Sequence, residues 1–154
     1  MVAARFGLRL TASYAELLAD RAIGAVVLAT PHSQHAAEII DAAKAGKHVF
    51  VEKPMCTTSE DCRTLIAEAD KRGLTLMVGH TFVYSPPVRM IKDLIDQGEL
   101  GEIYYANFTR VNLGIFQKDA NVIWDLAPHD VAMLSYLFDA DPVAVTATGH
   151  CYVQ

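Results

Sequence analysis

The first half of the chain alternates short apolar runs with amphipathic stretches. GAVVLAT (24–30), KHVFVE (47–52) and LTLMVG (74–79) are rich in strand-forming residues and predict buried strands, the first of them covered on both faces. Apolar residues at helical spacing predict helices between these runs. The order strand, helix, strand, helix, strand, with short links, is typical of a parallel sheet with right-handed crossovers.

Polar and glycine residues predict where these helices begin and end. Ser13 with Glu16, and Thr57 with Glu60, have the spacing of capping boxes, in which a hydroxyl caps the helix start. A glycine stands after each of the next two helices, at the position where a C-terminal cap belongs. These glycines are Gly46 and Gly73, and the residues of the second helix expected to face inward are Leu65, Ile66 and Ala69.

The pattern changes after LTLMVG. PPVRMIKDLIDQG (86–98) predicts an amphipathic helix, and HDVAMLSYLF (129–138) predicts another. EIYYANFTRVNLGIF (102–116) and PVAVTATGHCYV (142–153) alternate in the manner of antiparallel strands with one wetter face. We therefore predict two domains, residues 1–82 and residues 83–154. In the helix predicted at residues 86–98, the apolar residues expected to face inward are Met90, Ile91, Leu94 and Ile95.

Composition and charge exclude several classes of protein. The 154 residues are 52% hydrophobic and 20% charged, which suits a globular domain, and the net charge of −5 argues against a nucleic-acid partner. No apolar run approaches the roughly 20 residues that span a bilayer, so no membrane partner is expected. The three cysteines form no CxxC pair, so we predict no metal site and no disulfide framework, and we expect a reducing, cytoplasmic location.

Polar residues follow each predicted strand of the first half. Ligands of open parallel sheets bind outside the carboxyl ends of the strands, so Thr30-Pro31, Glu52-Lys53 and Gly79-His80 are predicted to line one crevice. Glu52 and Lys53 could also form a solvated charge pair in a surface turn. Their position at the end of a buried strand, with Pro54 directly after them, favours a functional role.

A second set of candidate residues stands in NVIWDLAPHDVAML (121–134). Asp125 and His129 are four positions apart, which places them on one face of a helix. Since proline is tolerated in the first turn, Pro128 predicts that Asp125 is near the N-cap and His129 is near the positive end of the helix. An imidazole there suits a proton acceptor. An ordinary aspartate cap beside a surface histidine remains the alternative.

Together these residues resemble one family. TPHSQHAAEIIDAAKAGKHVFVEKP (30–54) and DLAPH (125–129) are similar to the Gfo/Idh/MocA family of NAD(P)-dependent oxidoreductases. The resemblance implies an α/β fold: part of a Rossmann-type parallel sheet, followed by the start of an α+β domain with an open antiparallel sheet. It also implies NAD or NADP as the cofactor, a sugar, cyclitol or nucleotide sugar as the substrate, and a homo-oligomer.

The resemblance assigns roles to individual residues. Lys53 is expected near the reacting carbon–oxygen group, His129 as the proton acceptor, and Asp125 as the residue that orients the substrate or His129. Glu52 is expected to hold the loop or to contact the cofactor. The other residues expected at the cofactor are Thr30, Pro31, His35, Lys53 and His80, with Tyr84 as a weaker candidate.

The sequence also departs from the family pattern. The strand and GxGxxG turn that bind the pyrophosphate are absent, and the sequence stops soon after the helix of Asp125 and His129, so the chain is expected to be truncated at both ends relative to the family pattern. Unpaired sheet edges would then need a partner to cover them. The alternative function is a catalytically inactive module, derived from this family, that oligomerises or binds a sugar.

Overall fold

The computed structural model describes residues 5–11, 13–111 and 120–150. Short strands alternate with helices in the first half, and helices account for the regular structure of the second. The helices are α1 (Tyr14–Ala19), α2 (His32–Lys44), α3 (Ser59–Lys71), α4 (Pro86–Asp96) and α5 (Val122–Phe138), with a 3-10 helix at Thr81–Tyr84; the strands are β1 (Ala25–Leu28), β2 (His48–Val51) and β3 (Leu76–Val78).

The three strands form a parallel sheet in the order β1-β2-β3. Leu28, Val51 and Val78 are paired side by side in the register of the sheet. Hydrogen bonds continue past this row, because the Glu52 N–H donates to the Leu28 carbonyl at 2.9 Å and the Gly79 N–H donates to the Val51 carbonyl at 2.8 Å. The predicted α/β class with a parallel sheet is confirmed, and the carboxyl ends of the strands are level with one another.

One face of this sheet carries the core. Val26 and Leu28 of β1, with Val49 and Val51 of β2, are buried in a cluster with residues of α2 and α3. The prediction that β1 is covered on both faces is wrong, since Val27 on the opposite face is 73% exposed. An all-apolar run shows that both faces could be buried, but the helices that join the core cluster cover only one. The helix residues of the cluster are Ile39, Ala42 and Leu65.

Most of the predicted helix boundaries are confirmed. The Ser13 hydroxyl accepts from the Glu16 N–H at 3.2 Å. The cap of α3 is Thr58, not Thr57, and its hydroxyl accepts from the Asp61 N–H at 3.1 Å. The prediction was one residue early because adjacent threonines offer two overlapping capping patterns. Gly46 and Gly73 follow α2 and α3 with φ values of 70° and 65°, as glycine caps require.

The inward faces of two helices differ from the prediction. Leu65 and Ala69 of α3 are buried, but Ile66 is 48% exposed. In α4 the buried residue is Val88, while Met90 and Ile91 are exposed. Helical spacing defines more than one apolar stripe here, and the position of α5 selects the stripe that is buried. The residues packed with Val88 are Met133, Leu137, Ile95, Phe108, Tyr136 and Phe138.

The two strands predicted in the second half are not observed in the residues that the structure describes. Residues 102–111 and 142–150 have no regular structure, and the remainder of both segments lies outside the described ranges. Tyr104 and Tyr105 are 82% and 85% exposed. An antiparallel strand needs a neighbouring strand to bond to, and alternation in the sequence does not supply one.

The chain divides into two compact units. One comprises Met1–His80 with Val111–Pro128, and the other comprises Thr81–Arg110 with His129–Gln154. The domain division at residues 82 and 83 stays a prediction. Over the ranges that the structure describes, no helix is both long enough and apolar enough to span a membrane.

Candidate active site

The candidate site of the first unit begins at the carboxyl edge of the sheet. Thr30, Lys53 and His80 each lie two residues beyond the aligned row that ends the three strands. Because parallel strands end at the same edge, the fold brings these three positions to one side of the sheet. This arrangement agrees with the sequence-based expectation for the three strand ends.

Lys53 forms the main polar contact of this edge. Its Nζ donates to the main-chain carbonyl of Asp125 at 2.5 Å and to Asp125 Oδ1 at 2.9 Å. The Lys53 and Asp125 side chains are only 15% and 19% exposed. The Lys53–Pro54 peptide bond is cis. Two residues separated by 72 positions are therefore joined by a charge-assisted contact that is largely withdrawn from water.

The geometry of the lysine ammonium is suited to binding an oxygen. An ammonium carries three N–H donors, and the two contacts with Asp125 use two of them. A substrate hydroxyl or carbonyl oxygen could accept from the third. In a site with little water, a positive charge fixed in this way favours negative charge that develops on such an oxygen.

His35 links two of the strand ends. It is fully buried, with Nδ1 2.8 Å from the Pro54 carbonyl oxygen and Nε2 2.9 Å from the Thr30 carbonyl oxygen. The Thr30 hydroxyl in turn donates to Glu38 Oε2 at 2.5 Å. Both ring nitrogens of His35 thus contact main-chain oxygens, which gives the residue a positioning role at the turn that follows Lys53. Its predicted contact with the cofactor stays a prediction.

The other predicted cofactor residues lie at the same edge. Pro31 is the N-cap residue of α2, directly after Thr30. Glu52 precedes Lys53, and its carboxylate is close to Gly79, where an added Cβ would lie 3.4 Å from Glu52 Oε2 and 3.3 Å from the Phe50 ring. Glycine at position 79 therefore lets β3 end close against the residues that end β2. The cofactor contacts of Pro31 and Glu52 stay predictions.

His80 provides a buried polar atom at the end of β3. Burial lowers the pKa of the His80 imidazole below its ordinary value, which favours the neutral ring. Its Nδ1 is buried and has no hydrogen-bond partner among the residues that the structure describes. A buried polar atom without a partner is the type of group that a bound ligand can satisfy.

Helix α5 begins earlier than the sequence predicts. The Asn121 side chain accepts from the N–H groups of Ile123 and Trp124, both at 3.1 Å, so Asn121 is the cap and not Asp125. Pro128 lies inside the helix, not in its first turn. His129 is beyond the first turn, and the field of the helix N-terminus weakens over that distance. The predicted electrostatic reason for His129 to accept a proton is therefore wrong.

His129 belongs to the second unit. Its ring packs edge-on against Phe82, with ring centroids 4.6 Å apart and planes at 69°. The Arg110 guanidinium lies 5.3 Å from the centre of the same Phe82 ring and forms an ion pair with Asp130. The Phe82 ring thus has His129 and Arg110 as neighbours. The weaker candidate Tyr84 is 53% exposed.

The sequence interpretation missed several residues that position side chains within one unit or the other. Asn121 had a recognisable signal, because an asparagine directly before an apolar run is a common helix cap. Glu38, which accepts from the Thr30 hydroxyl, and the Arg110–Asp130 pair had none, because neither pair falls within a single predicted strand or helix.

The family is established by comparison with known proteins. Residues 1–80 match the family model described as the oxidoreductase family with an NAD-binding Rossmann fold, and residues 88–154 match the GFO/IDH/MocA C-terminal domain. The chain therefore belongs to the Gfo/Idh/MocA oxidoreductase family, as predicted.

Individual relatives agree with this assignment. The chain is 33% identical to scyllo-inositol 2-dehydrogenase (NAD(+)) of Bacillus subtilis over 87% of its own length and 41% of that protein. An NAD-binding protein from Listeria innocua superposes with a TM-score of 0.76 at 30% identity, over 90% of this chain and 43% of that one. The 3-ketoreductase KijD10 of Actinomadura kijaniata, solved with TDP-benzene and NADP, gives a TM-score of 0.59 at 37% identity, over 63% of this chain and 31% of that one. The chain spans less than half the length of each relative.

These findings confirm the prediction of NAD or NADP as the cofactor at the level of the family. The strand-end residues are compatible with such a group, because His80 offers a buried nitrogen without a partner in the described ranges and Lys53 offers an amine. No cluster of three or more histidine, cysteine, aspartate or glutamate residues suited to a metal ion occurs in residues 5–11, 13–111 and 120–150.

Proposed function

We propose that the chain carries part of the active site of an NAD(P)-dependent dehydrogenase that acts on a hydroxyl or keto group of a sugar, a cyclitol or a nucleotide sugar. The observation that carries the proposal is the contact of Lys53 with Asp125, an amine and a carboxylate withdrawn from water at the carboxyl edge of a parallel sheet. The substrate class is supported by the names of the relatives, which include an inositol dehydrogenase and a 3-ketoreductase.

The lysine has the clearest role in this proposal. Lys53 donates a hydrogen bond to the oxygen of the reacting carbon, and its charge stabilises the alkoxide character that develops there. Asp125 fixes the position of the ammonium through two contacts. The nicotinamide, when it is bound, supplies the hydride chemistry. Thr30, Pro31 and Glu52 are proposed to contact the cofactor along the same edge.

The proton of the substrate hydroxyl needs an acceptor. We assign this role to the His129 imidazole, because it lies four residues after Asp125 on one continuous helix. The neutral His80 ring is proposed to accept or donate a hydrogen bond at the nicotinamide end, since burial disfavours its charged form. His35 acts through the Pro54 carbonyl to position the turn that carries Lys53.

Fluorescence titration with NADH and with NADPH tests this proposal. We expect saturable binding of at least one of them below about 1 mM. Lys53→Ala should abolish saturation, because it removes the charge and the donors at the strand edge. Lys92→Ala is the matched control, since Lys92 is also an ion-paired lysine but lies in the second unit.

The outcomes of the titration separate the two candidate functions. Absence of binding to either nucleotide, from a chain that circular dichroism shows to be folded, would contradict the dehydrogenase and favour an inactive module. If Lys53→Ala and Lys92→Ala weaken nucleotide binding equally, the strand edge has no special role in binding. The predicted homo-oligomer and the cytoplasmic location remain part of the proposal, and sedimentation of the purified chain tests the former.

A further inference from the structure

Two cysteine thiols face one another beside the turn that carries Lys53. Cys56 Sγ and Cys62 Sγ are 2.9 Å apart, and both cysteines are free thiols. Cys56 is in the loop that follows β2, and Cys62 is near the start of α3. The Cys62 N–H bonds to the Thr58 carbonyl at 3.2 Å, and the Thr58 cap fixes this end of the helix. The pair is therefore held by secondary structure on one side.

The two thiols differ in their access to solvent. Cys56 is 2% exposed, and its thiol is directed to the Thr58 carbonyl at 3.5 Å as well as to Cys62. Burial, followed by the hydrogen bond with Cys62, raises the pKa of the Cys56 thiol to about 12. Cys62 is partly exposed. A reagent from solution thus reaches Cys62 first, and Cys56 is placed to react second.

We propose that Cys56 and Cys62 form a reversible dithiol–disulfide site that exchanges with low-molecular-weight disulfides such as oxidised glutathione. The inference does not depend on the proposed dehydrogenase function. Closing the bond requires the sulfurs to approach by about 0.9 Å, to the usual S–S length of about 2.05 Å. Such a movement is small enough for a loop residue opposite a fixed helix end.

The exchange proceeds in two steps, each of which breaks one S–S bond and forms another. The Cys62 thiolate attacks one sulfur of the small disulfide, forms a mixed disulfide and releases one thiolate. The Cys56 thiol then gives its proton to the thiolate released in the first step and attacks Cys62 Sγ, which breaks the mixed disulfide and releases the second thiolate, which takes a proton from water. The two cysteines are oxidised to one disulfide, and the small disulfide is reduced to two thiols.

The location of the site connects it to the sheet edge. Cys56 is three residues after Lys53 and two after Pro54, whose carbonyl contacts His35. A bond between Cys56 and Cys62 would tether the loop after β2 to the start of α3. Oxidation therefore restrains the segment that positions the Lys53 amine.

Mass spectrometry of the glutathione-treated protein tests the site. Cys151 lies outside the described residues and is replaced by Cys151→Ser in every sample, so that only the pair remains. Trypsin should release residues 48–63 as one peptide with both cysteines, because Lys53 precedes a proline. We expect this peptide to lose two hydrogen masses after treatment and to regain them with a reductant. Two alkylatable thiols after treatment would contradict the proposal.

Single variants test the order of attack. In Cys56→Ser we expect Cys62 to accumulate the mixed disulfide with glutathione, since no second thiol displaces it. In Cys62→Ser we expect the buried Cys56 to remain unmodified in the folded protein. Modification of Cys56 at the rate of Cys62 would overturn the assigned roles.

Comparison with the unfolded chain shows whether the fold creates the site. Cysteines this close in sequence can also pair in urea, so the glutathione equilibrium is measured in both states. We expect the folded protein to favour the disulfide at least about tenfold more than the unfolded chain, which corresponds to about 30 mV. An equal or lower preference in the folded protein would show that the observed proximity does not favour the bond, and would refute the inference.

Discussion

Each of the two units contains a lysine that pairs with a distant aspartate, and the two pairs differ in how far they are removed from water. The Lys53 and Lys92 side chains are equally covered, at 15% exposed. Asp125 is 19% exposed and also offers its main-chain carbonyl, whereas Asp139 is 77% exposed. Lys92 shares its charge with a second exposed carboxylate, that of Asp96.

The difference separates an ion pair whose carboxylates are exposed to water from one in which both partners are largely withdrawn from water. The hydrogen bonds of Lys92 with Asp139, and then with Asp96, raise the pKa of Lys92, but both carboxylates remain hydrated and screened. Lys53 and Asp125 have lost most of their water, so each depends on the other, and the Lys53 ammonium interacts more strongly with a bound oxygen. The cores differ as well, because the first unit has a larger buried cluster than the second.

The largest effect is expected from truncation in the two cores. Leu65→Ala should lower the free energy of unfolding by about 2–5 kcal/mol, because Leu65 is 2% exposed within the cluster beneath the sheet. Leu137→Ala should cost less, since the smaller cluster of the second unit can relax around the cavity. Urea denaturation measures both. A greater loss of unfolding free energy for Leu137→Ala than for Leu65→Ala would contradict the expected order of the two cores.

A smaller effect is expected when each lysine loses its partner. Asp125→Asn should destabilise the protein by about 1–3 kcal/mol, because a poorly hydrated ammonium is left with a weaker acceptor. Asp139→Asn should leave the midpoint of urea denaturation unchanged within error, since water replaces the exposed carboxylate. Equal shifts for the two variants would remove the distinction between the pairs.

The smallest effect concerns pH and is expected in the first unit. Burial lowers the pKa of folded His80, so the unfolded chain binds a proton more readily. The contribution of His80 to stability is therefore complete above its unfolded pKa of about 6.5 and is lost as pH falls through the lower, folded pKa. Thermal melts of the wild type and His80→Gln between about pH 8 and pH 5 measure it. If the melting temperature depends on pH equally in the wild type and in His80→Gln, this assignment is contradicted.

Local features of the fold were predictable because their causes lie within a few residues. The Ser13 cap, the glycines after two helices and the alternation of strands with helices each follow from neighbouring residues. The strand ends at Thr30, Lys53 and His80 could also be identified, since parallel strands place their carboxyl ends at one edge. Family resemblance supplied the roles proposed for these residues, which spacing alone does not give.

Features that depend on distant partners were not predictable in the same way. Periodicity assigned Ile66 and Met90 to buried faces, but both are exposed. The position of Pro128 predicts a later helix start, whereas the helix begins after the Asn121 cap and includes the proline. A proline argues against a helix interior on average, yet a helix with good packing on its other residues can include one.

The sequence by itself determined the order of strands and helices in the first half, most of the helix caps and the family to which the chain belongs. These depend on apolar periodicity, on local hydrogen bonding and on motifs contiguous along the chain. Only the tertiary structure decided which face of β1 is covered, that the Lys53 amine meets Asp125, and that Cys56 meets Cys62. Such contacts depend on how separate elements pack, and the energy of packing is shared among many residues that no local pattern specifies.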